Sequence, residues 1–327
     1  MQERLDAFMA RAIAAYYATH NPFADFTTSP EVSQMFGELL GAWAAETWHT
    51  MGRPHPVLLA EIGPGRGTLM ADATRQIARI APDFAAAAQI HFIETSPRLR
   101  EIQRGRVPYA TWHDDIATLP PGPMILFANE FLDALPIRQF VHRNATWNER
   151  YVAGENFVLV PCELPGPPPV EAMFEGILVE RCEQGVAWTA RLAARLAAQG
   201  GAALIIDYGP SRPTALNTLQ ALRGGKGANP LADPGSADIT AHVDFPAIAE
   251  AARAGGCATW GAIEQGTFLT RLGIAQRLQA LQAANPADHD KLNNAADRLV
   301  APARMGQLFK VLAVTSPGLP CPPGLDA

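Results

Sequence analysis

Acidic and amide side chains recur where short apolar runs give way to polar sequence. Glu61 stands near the end of Val57-Leu58-Leu59-Ala60-Glu61-Ile62, and Glu94 follows Ile90-His91-Phe92-Ile93. Asp114 and Asp115 follow the segment Tyr109 to Trp112, and Asn129-Glu130 follow Met124-Ile125-Leu126-Phe127-Ala128. The first run leads at once into Gly63-Pro64-Gly65-Arg66-Gly67. Glycines in such a turn let a ligand approach the main chain. A carboxylate can accept two hydroxyl donors together, which suits a ribose diol, and a ring of acids suits a cation.

Phosphate cradling explains these residues less well. A dinucleotide fingerprint GxGxxG needs glycine at 68, where Thr68 stands, and an acid about 20 residues on; Glu94 lies beyond a complete helix and a second strand. Gly225-Lys226-Gly227 fails the Walker pattern on both sides. The layout that fits is that of S-adenosylmethionine. Gly63, Gly65 and Gly67 would lie close to its methionine portion, Glu61 would face the ammonium, and Glu94 would hold the ribose hydroxyls. Asp114, Asp115 and Asn129 are further cofactor candidates, since a polar side chain is needed at the adenine amine. Each has a plainer reading. Acids after parallel strands cap the next helix, and Gly65 and Gly67 can simply make a tight turn.

These positions make sense only if the apolar runs are buried strands. Each run is short and is followed by a helical pattern: Thr68 to about Ile80 after the first, Pro97 to Arg104 after the second. Repeated strand, helix, strand order predicts an α/β fold with a mainly parallel sheet covered on both faces, and ligands in such sheets sit beyond the carboxyl ends of the strands. Thr28-Ser29-Pro30-Glu31 reads as a helix start with Ser29 as cap, leading a helix from Val32 to Thr50. Met1 to Tyr17 reads as an amphipathic helix. Arg138 to Val160 holds three β-rich segments, and Pro165 to Pro169 reads as a linker. Val170 to Gln199 has a helical pattern, Ala202 to Ile206 is a further buried strand, and 210–245 reads as surface loops. A helix from Ala247, a strand near Ala258 to Ile263, helices from Thr267 to about Ala301 and a strand from Gln307 to Val314 complete the chain, with a disordered Pro-rich tail from Pro317.

Composition bounds the rest. The 327 residues are 48% hydrophobic and 18% charged, with a formal net charge of −6, which describes a core-building chain without the basic face that nucleic acid demands. Four scattered cysteines and eight histidines form no CxxC or HExxH spacing, so neither a disulfide framework nor a metal site is expected. Apolar runs fall short of the roughly 20 residues of a spanning helix, and no targeting peptide is apparent; the expectation is a cytoplasmic protein without membrane insertion.

Beyond these readings, the chain resembles the MidA-like S-adenosylmethionine-dependent methyltransferases, a family that includes a mitochondrial complex I assembly factor methylating a protein arginine. The resemblance rests on Thr28-Ser29-Pro30-Glu31-Val32-Ser33 with Phe36-Gly37-Glu38, on Glu61 to Leu69, on Glu94-Thr95-Ser96-Pro97-Arg98-Leu99 and on Asn129 to Pro136. It continues in Asp207-Tyr208-Gly209, Gly235 to Phe245, Gln265-Gly266-Thr267-Phe268-Leu269, and Met305-Gly306 before Phe309-Lys310-Val311-Leu312. It implies a class I (Rossmann-like) methyltransferase fold with an inserted substrate region. It also implies a protein substrate, an arginine in a NADH:quinone oxidoreductase subunit. The expected division is an N-terminal helical lid at 1–54, with Ser29 and Pro30 near the cofactor. A core follows at 55–136 and 200–327 with a helical insertion at about 267–301, and an inserted β/helical segment at 137–199.

Arginine is a poor nucleophile because it stays protonated, so carboxylates that hold and polarise the guanidinium would help. Glu130 and Asp133 are candidates after the fourth strand, Asp207 and Tyr208 after the fifth. His242, in the segment Gly235 to Phe245 where polar residues alternate, is a candidate base. Asp133 can instead cap a turn before Pro136. Three other readings stay open: a small-molecule N- or O-methyltransferase, a non-catalytic assembly factor that keeps the cofactor pocket, and an NAD-dependent oxidoreductase.

Overall fold

A computed structural model describes residues 2–19, 27–168 and 174–325. The chain divides into two compact units: 28–131, 189–208 and 249–327 form the larger, and 1–27, 132–188 and 209–248 the smaller. This division cuts across the expected one. The first 54 residues are shared between the units, and much of the segment 200–248 groups with the β-rich insertion instead of the core.

The larger unit is built on a seven-stranded sheet. In chain order its strands are β1 (Val57–Ile62), β2 (Ala88–Ile93), β3 (Thr111–His113), β4 (Met124–Asn129), β5 (Gly201–Tyr208), β6 (Ala258–Glu264) and β7 (Phe309–Thr315). Their order across the sheet is β6-β7-β5-β4-β1-β2-β3. Strands β1 to β5 run parallel, and β7 is antiparallel to both of its neighbours. Every residue of β1 and of β4 is buried, which is why these strands read as unbroken apolar runs. Alternate residues Val57, Leu59, Ile125, Phe127, Leu204, Ile206, Val311 and Ala313 share one core cluster with Phe36, Leu40 and Trp43 of the Gln34–Thr50 helix. That helix lies close against Thr68–Ile80, for a Cβ on Gly41 would stand 2.6 Å from the Ala73 carbonyl oxygen. Chain order reverses between β1 and β4, so the crevice at a switch point opens beside Gly63 and Asn129.

The smaller unit is antiparallel. Gln2–Arg4, Thr146–Ala153, Arg138–Arg143 and Leu178–Arg181 follow one another across its sheet, and Asn156–Cys162 pairs with Thr146–Ala153. A second, three-stranded sheet joins Lys226–Gly227, Gln220–Arg223 and Asp238–Thr240. Leu5, Phe8, Met9 and Ala12 of the Leu5–Thr19 helix pack with Ile137, Val152, Ala221, Ile239 and Ala241.

Several expectations need correction. The reading of 210–245 as surface loops fails because Ala221, Leu231, Ala237, Ile239 and Ala241 are all buried; Ala221 and Ile239 face each other in an antiparallel pair that turns both inward. The helix expected from Val170 begins at Glu183, and Leu178–Arg181 is a strand. Short apolar runs fit both periods, and pairing with Arg138–Arg143 decides between them. Positions 169–173 of that stretch lie outside the described residues. The tail is ordered from Pro317 to Leu325: Leu325 is buried in the larger core, and Arg271 donates to the Gly324 carbonyl at 3.4 Å, while positions 326–327 lie outside the described residues. Ser29 is not a cap, since Thr28 holds that position without a side-chain bond; Ser33, extended, breaks the helix and caps Gln34–Thr50 through the Met35 amide at 3.2 Å.

Candidate functional site

Parallel register aligns the strand ends. Ile62 lies between Ile93 and Ala128, so Gly63, Glu94 and Asn129 emerge along one rim. The turn beyond β1 holds Gly63, Gly65 and Gly67 at φ of 60°, 53° and 76°, left-handed conformations that glycine adopts without strain. The Gly67 amide closes the turn on the Pro64 carbonyl at 2.7 Å, and Thr68–Ile80 starts there with no side-chain cap. With no side chain at Gly67 to cap it and the Met70 amide given to Glu61, the remaining first-turn N–H groups suit a carboxylate.

Glu61, the penultimate residue of β1, is buried, and its Oε2 has no hydrogen-bond partner. Burial pushes its pKa up to about 8, opposed only by a main-chain hydrogen bond from Met70. Asn129, closing β4, is buried as well, and its Oδ1 also lacks a partner while its Nδ2 donates to Glu130 Oε1 at 3.1 Å. Two buried acceptors at adjoining strand ends, both unsatisfied, are costly unless a ligand supplies donors.

Glu94 presents a carboxylate fixed from below. Oε1 accepts from the Ser96 amide at 2.7 Å and Oε2 from Gln103 Nε2 at 3.3 Å, and burial raises its pKa. A carboxylate has about four lone-pair sites, so with the Ser96, Gln103 and Thr95 donors in place Glu94 still has capacity toward a ribose hydroxyl. Gln103 is wholly buried. It also donates to the Gly65 carbonyl at 2.8 Å and accepts from Trp112 Nε1 at 2.7 Å, so one side chain sets the distance between the glycine turn and the acid. Arg100 adds a clamp, donating from Nε to the Glu94 carbonyl at 2.7 Å and from Nη2 to the His113 carbonyl at 3.0 Å.

The acids after β3 are engaged elsewhere. Asp114 pairs with Arg100 at 2.6 Å and its side chain is 79% exposed. Asp115 caps the short 3₁₀ turn Ile116–Thr118 through the Ala117 amide at 2.8 Å and pairs with Arg191 at 3.1 Å. For Asp115 the capping reading describes the geometry.

Glu130 occupies the left-handed region at φ 50°, a conformation that costs a non-glycine residue on the order of 1 kcal/mol and is found where surrounding structure enforces it. Its amide donates to the Ile206 carbonyl at 2.8 Å, and its Oε1 accepts from the Ser29 amide at 2.8 Å. Ser29 is buried, and its hydroxyl lies 3.3 Å from Gln265 Oε1. Pro30 follows in the first turn of the short helix Ser29–Val32. Glu31 accepts from Thr68 Oγ1 at 2.5 Å and from Arg66 at 3.4 Å. The segment 28–32 is thereby tied both to Glu130 and to the glycine turn. Asp207 and Tyr208 are the last two residues of β5 itself instead of following it. Asp207 is buried and accepts from the Tyr208 amide at 2.9 Å, and the Tyr208 ring packs edge-on against Phe309.

Asp133 and His242 belong to the smaller unit. The buried Asp133 accepts the Ala241 amide on its main-chain carbonyl at 3.0 Å, and the His242 amide donates to Thr218 Oγ1 at 2.8 Å. His242 lines a largely apolar cavity of about 320 Å³ with Leu132, Ile137, Val186, Val243 and Ile248. Among the described residues no group of three or more His, Cys, Asp or Glu side chains could hold a metal ion.

The sequence singles out neither Gln103 nor Arg100, and it marks Glu31 only within a helix start and a family motif. Gln103 sits in a helix of charged residues, Pro97–Arg106, where nothing in the spacing singles out one amide. The rim as a whole fits S-adenosylmethionine. Glu61 Oε2 would receive the ammonium, Glu94 the ribose hydroxyls and the uncapped helix start the carboxylate, with Asn129 Oδ1 free for a further donor.

Comparison with known proteins is consistent with that chemistry. Residues 39–263 match the family described as S-adenosyl-L-methionine-dependent methyltransferases. The chain is 35% identical over 324 residues to the protein arginine methyltransferase NDUFAF7 of Mus musculus, covering 89% of this chain and 74% of that protein. It is 34% identical over 347 residues to the Drosophila melanogaster homologue, covering 92% and 78%. A COG1565 superfamily structure from Burkholderia thailandensis, bound to S-adenosyl-homocysteine, superposes with a TM-score of 0.80 at 26% identity, over 100% of this chain and 89% of that one. A native structure of a COG1565 protein from the same organism gives 0.84 at 28% identity, over 100% and 90%.

Proposed function

The chain belongs to the MidA-like S-adenosylmethionine-dependent methyltransferases, and from that premise we propose that it N-methylates an arginine of a protein substrate, a subunit of a NADH:quinone oxidoreductase of the complex I type. Its sheet has the class I methyltransferase fold, S-adenosyl-L-methionine is its cofactor and methyl transfer is its reaction. Relatives named as protein arginine methyltransferases support the protein target.

When bound, the cofactor supplies an electrophilic methyl group on a sulfonium that leaves as a neutral thioether. The work left to the chain is alignment, charge and one proton. Glu61, Glu94 and the turn Gly63 to Gly67 would hold the cofactor, with Asn129 beside them. Glu130 would orient the guanidinium: its carboxylate is fixed through Oε1 by Ser29 and Asn129, and a carboxylate paired with a guanidinium settles which nitrogen faces the methyl. As the N–CH3 bond forms and the C–S bond breaks, the attacking nitrogen must lose a proton, and the acids of the same unit, Glu130 and Asp207, are the groups proposed to take it.

The observation that carries the reading is the strained Glu130 with its carboxylate tied to the Ser29 amide. Incubation with methyl-tritiated cofactor and complex I type subunits tests it. Wild type should label arginine in one protein band, and Glu130→Gln should lose about 100-fold or more in rate while cofactor affinity holds. Label confined to small molecules would favour the small-molecule methyltransferase instead.

A further inference from the structure

The buried amide of Gln103 meets three neighbours within the larger unit, and one of its two orientations satisfies them all. Nε2 donates to the Gly65 carbonyl at 2.8 Å and to Glu94 Oε2 at 3.3 Å, while Oε1 accepts from Trp112 Nε1 at 2.7 Å. Turned over, the amide would set its oxygen against two acceptors and its N–H groups against a donor. An indole nitrogen can only donate, so Trp112 fixes which end of the amide faces the carboxylate.

Trp112 is itself held. It pairs with Phe92 in the parallel register of β2 and β3, the two rings packed edge-on with centroids 5.9 Å apart, and the Arg104 guanidinium lies over the indole at 4.9 Å. The stem of Gln103 runs beside the glycine turn, for a Cβ on Gly67 would stand 3.6 Å from its Cγ. Little room is left for the amide to swing.

Glu94 is the group on which this bracing converges. Two of its donors, the Ser96 and Thr95 amides, lie in its own loop and move with it. Gln103 reaches in from the Pro97–Arg106 helix and ties Oε2 to a separate element. A buried acceptor held in one direction discriminates sharply, because a ligand lacking the matching donor leaves it unpaired.

We infer that Gln103 is a positioning and specificity-determining residue for the cofactor: oriented by Trp112, it aims the Glu94 carboxylate so that the site demands a nucleoside with an intact ribose diol. The inference rests on the reading of Glu94 as the acid that holds the ribose hydroxyls. It goes beyond that reading by assigning the discrimination to an amide and an indole that no motif marks.

Calorimetric titration of the full chain with S-adenosylhomocysteine and with its 2′-deoxy and 3′-deoxy counterparts tests it, in wild type, Glu94→Ala, Gln103→Met and Trp112→Phe. In wild type the larger of the two deoxy penalties should be about 30-fold in Kd, the value of a hydrogen bond to a charged group. Gln103→Met keeps an unbranched stem and removes the amide. The parent ligand should then bind about 30-fold more weakly, and the deoxy penalty should fall below about threefold. Trp112→Phe removes the indole N–H and keeps an aromatic ring, and its penalty should be about tenfold. A merely structural role would weaken all three ligands alike and leave their ratios at the wild-type value. If Glu94→Ala keeps the wild-type ratio, or wild type shows no penalty, the reading of Glu94 fails and this inference with it. If Glu94→Ala loses the ratio while Gln103→Met keeps it, the positioning role alone is overturned; should Gln103→Met not fold, Trp112→Phe decides the same question.

Discussion

Glu61 at the rim of the large sheet and Glu180 in the antiparallel unit are both carboxyls whose pKa burial raises, yet the chain treats them in opposite ways. Around Glu180 neutral donors reach both oxygens, and nearby Arg138 grips Glu149 with two bonds of 2.7 Å each. At the rim, Glu61 Oε2 and Asn129 Oδ1 stay buried and unsatisfied, and Glu130 holds a strained backbone. A carboxylate with donors on both oxygens and one left with a bare buried oxygen differ in what they wait for, and the second marks the rim as a place for a ligand. Glu180 is spent on shape; Glu61 keeps one oxygen available.

The largest effect should come from breaking the satisfied side. Glu149→Ala leaves the half-buried Arg138 guanidinium with Glu183 alone, and losing one member of such a pair costs about 3–5 kcal/mol. Urea unfolding should show that loss, with cofactor affinity unchanged wherever the fold persists. An effect below about 1 kcal/mol would remove the contrast between the regions.

A smaller effect, with two signs, belongs to Glu61. Its folded pKa of about 8 lies above its ordinary 4.5, so its contribution to stability is complete below about pH 4.5 and is lost as pH rises through 8, by a few kcal/mol. Glu61→Gln removes that loss. Near pH 9 the ligand-free variant should resist urea better than wild type by about 2–3 kcal/mol, while its affinity for S-adenosylmethionine falls about 100-fold. A variant that is less stable than wild type at that pH, or that binds as tightly, would contradict the idea that the rim trades stability for binding.

The smallest effect sharpens the same point. A Cβ on Gly67 meets nothing nearer than 3.6 Å, so Gly67→Ala should cost only the backbone strain of φ 76°, about 1 kcal/mol in the denaturation midpoint. A loss of 3 kcal/mol or more would mean that the turn is held by packing instead of by conformation.

Legibility in the sequence followed the same division. Val57–Ile62 and Thr68–Ile80 coincide with the expected strand and helix because a strand buried on both faces can only be apolar and an amphipathic helix must repeat near 3.6 residues. Leu178–Arg181 and the inward-facing residues of 210–245 were not legible, because a short segment with few apolar side chains has no period of its own and is ordered by its partner. Ser29 shows the limit within a motif. The sequence marked a helix start there, but only the fold shows the Ser29 amide donating to Glu130 and the capping task passing to Ser33.

The sequence alone determined that apolar runs end in glycine, acid and amide, since hydrophobic periodicity and backbone freedom are local properties. Which of those acids remain available was decided by tertiary structure. Asp115 and Asp114 are consumed by an amide and two arginines, Glu94 is braced by Gln103, and Glu61 is left without a full set of donors. Hydrogen-bond satisfaction depends on donors arriving from distant segments, and burial sets what their absence costs.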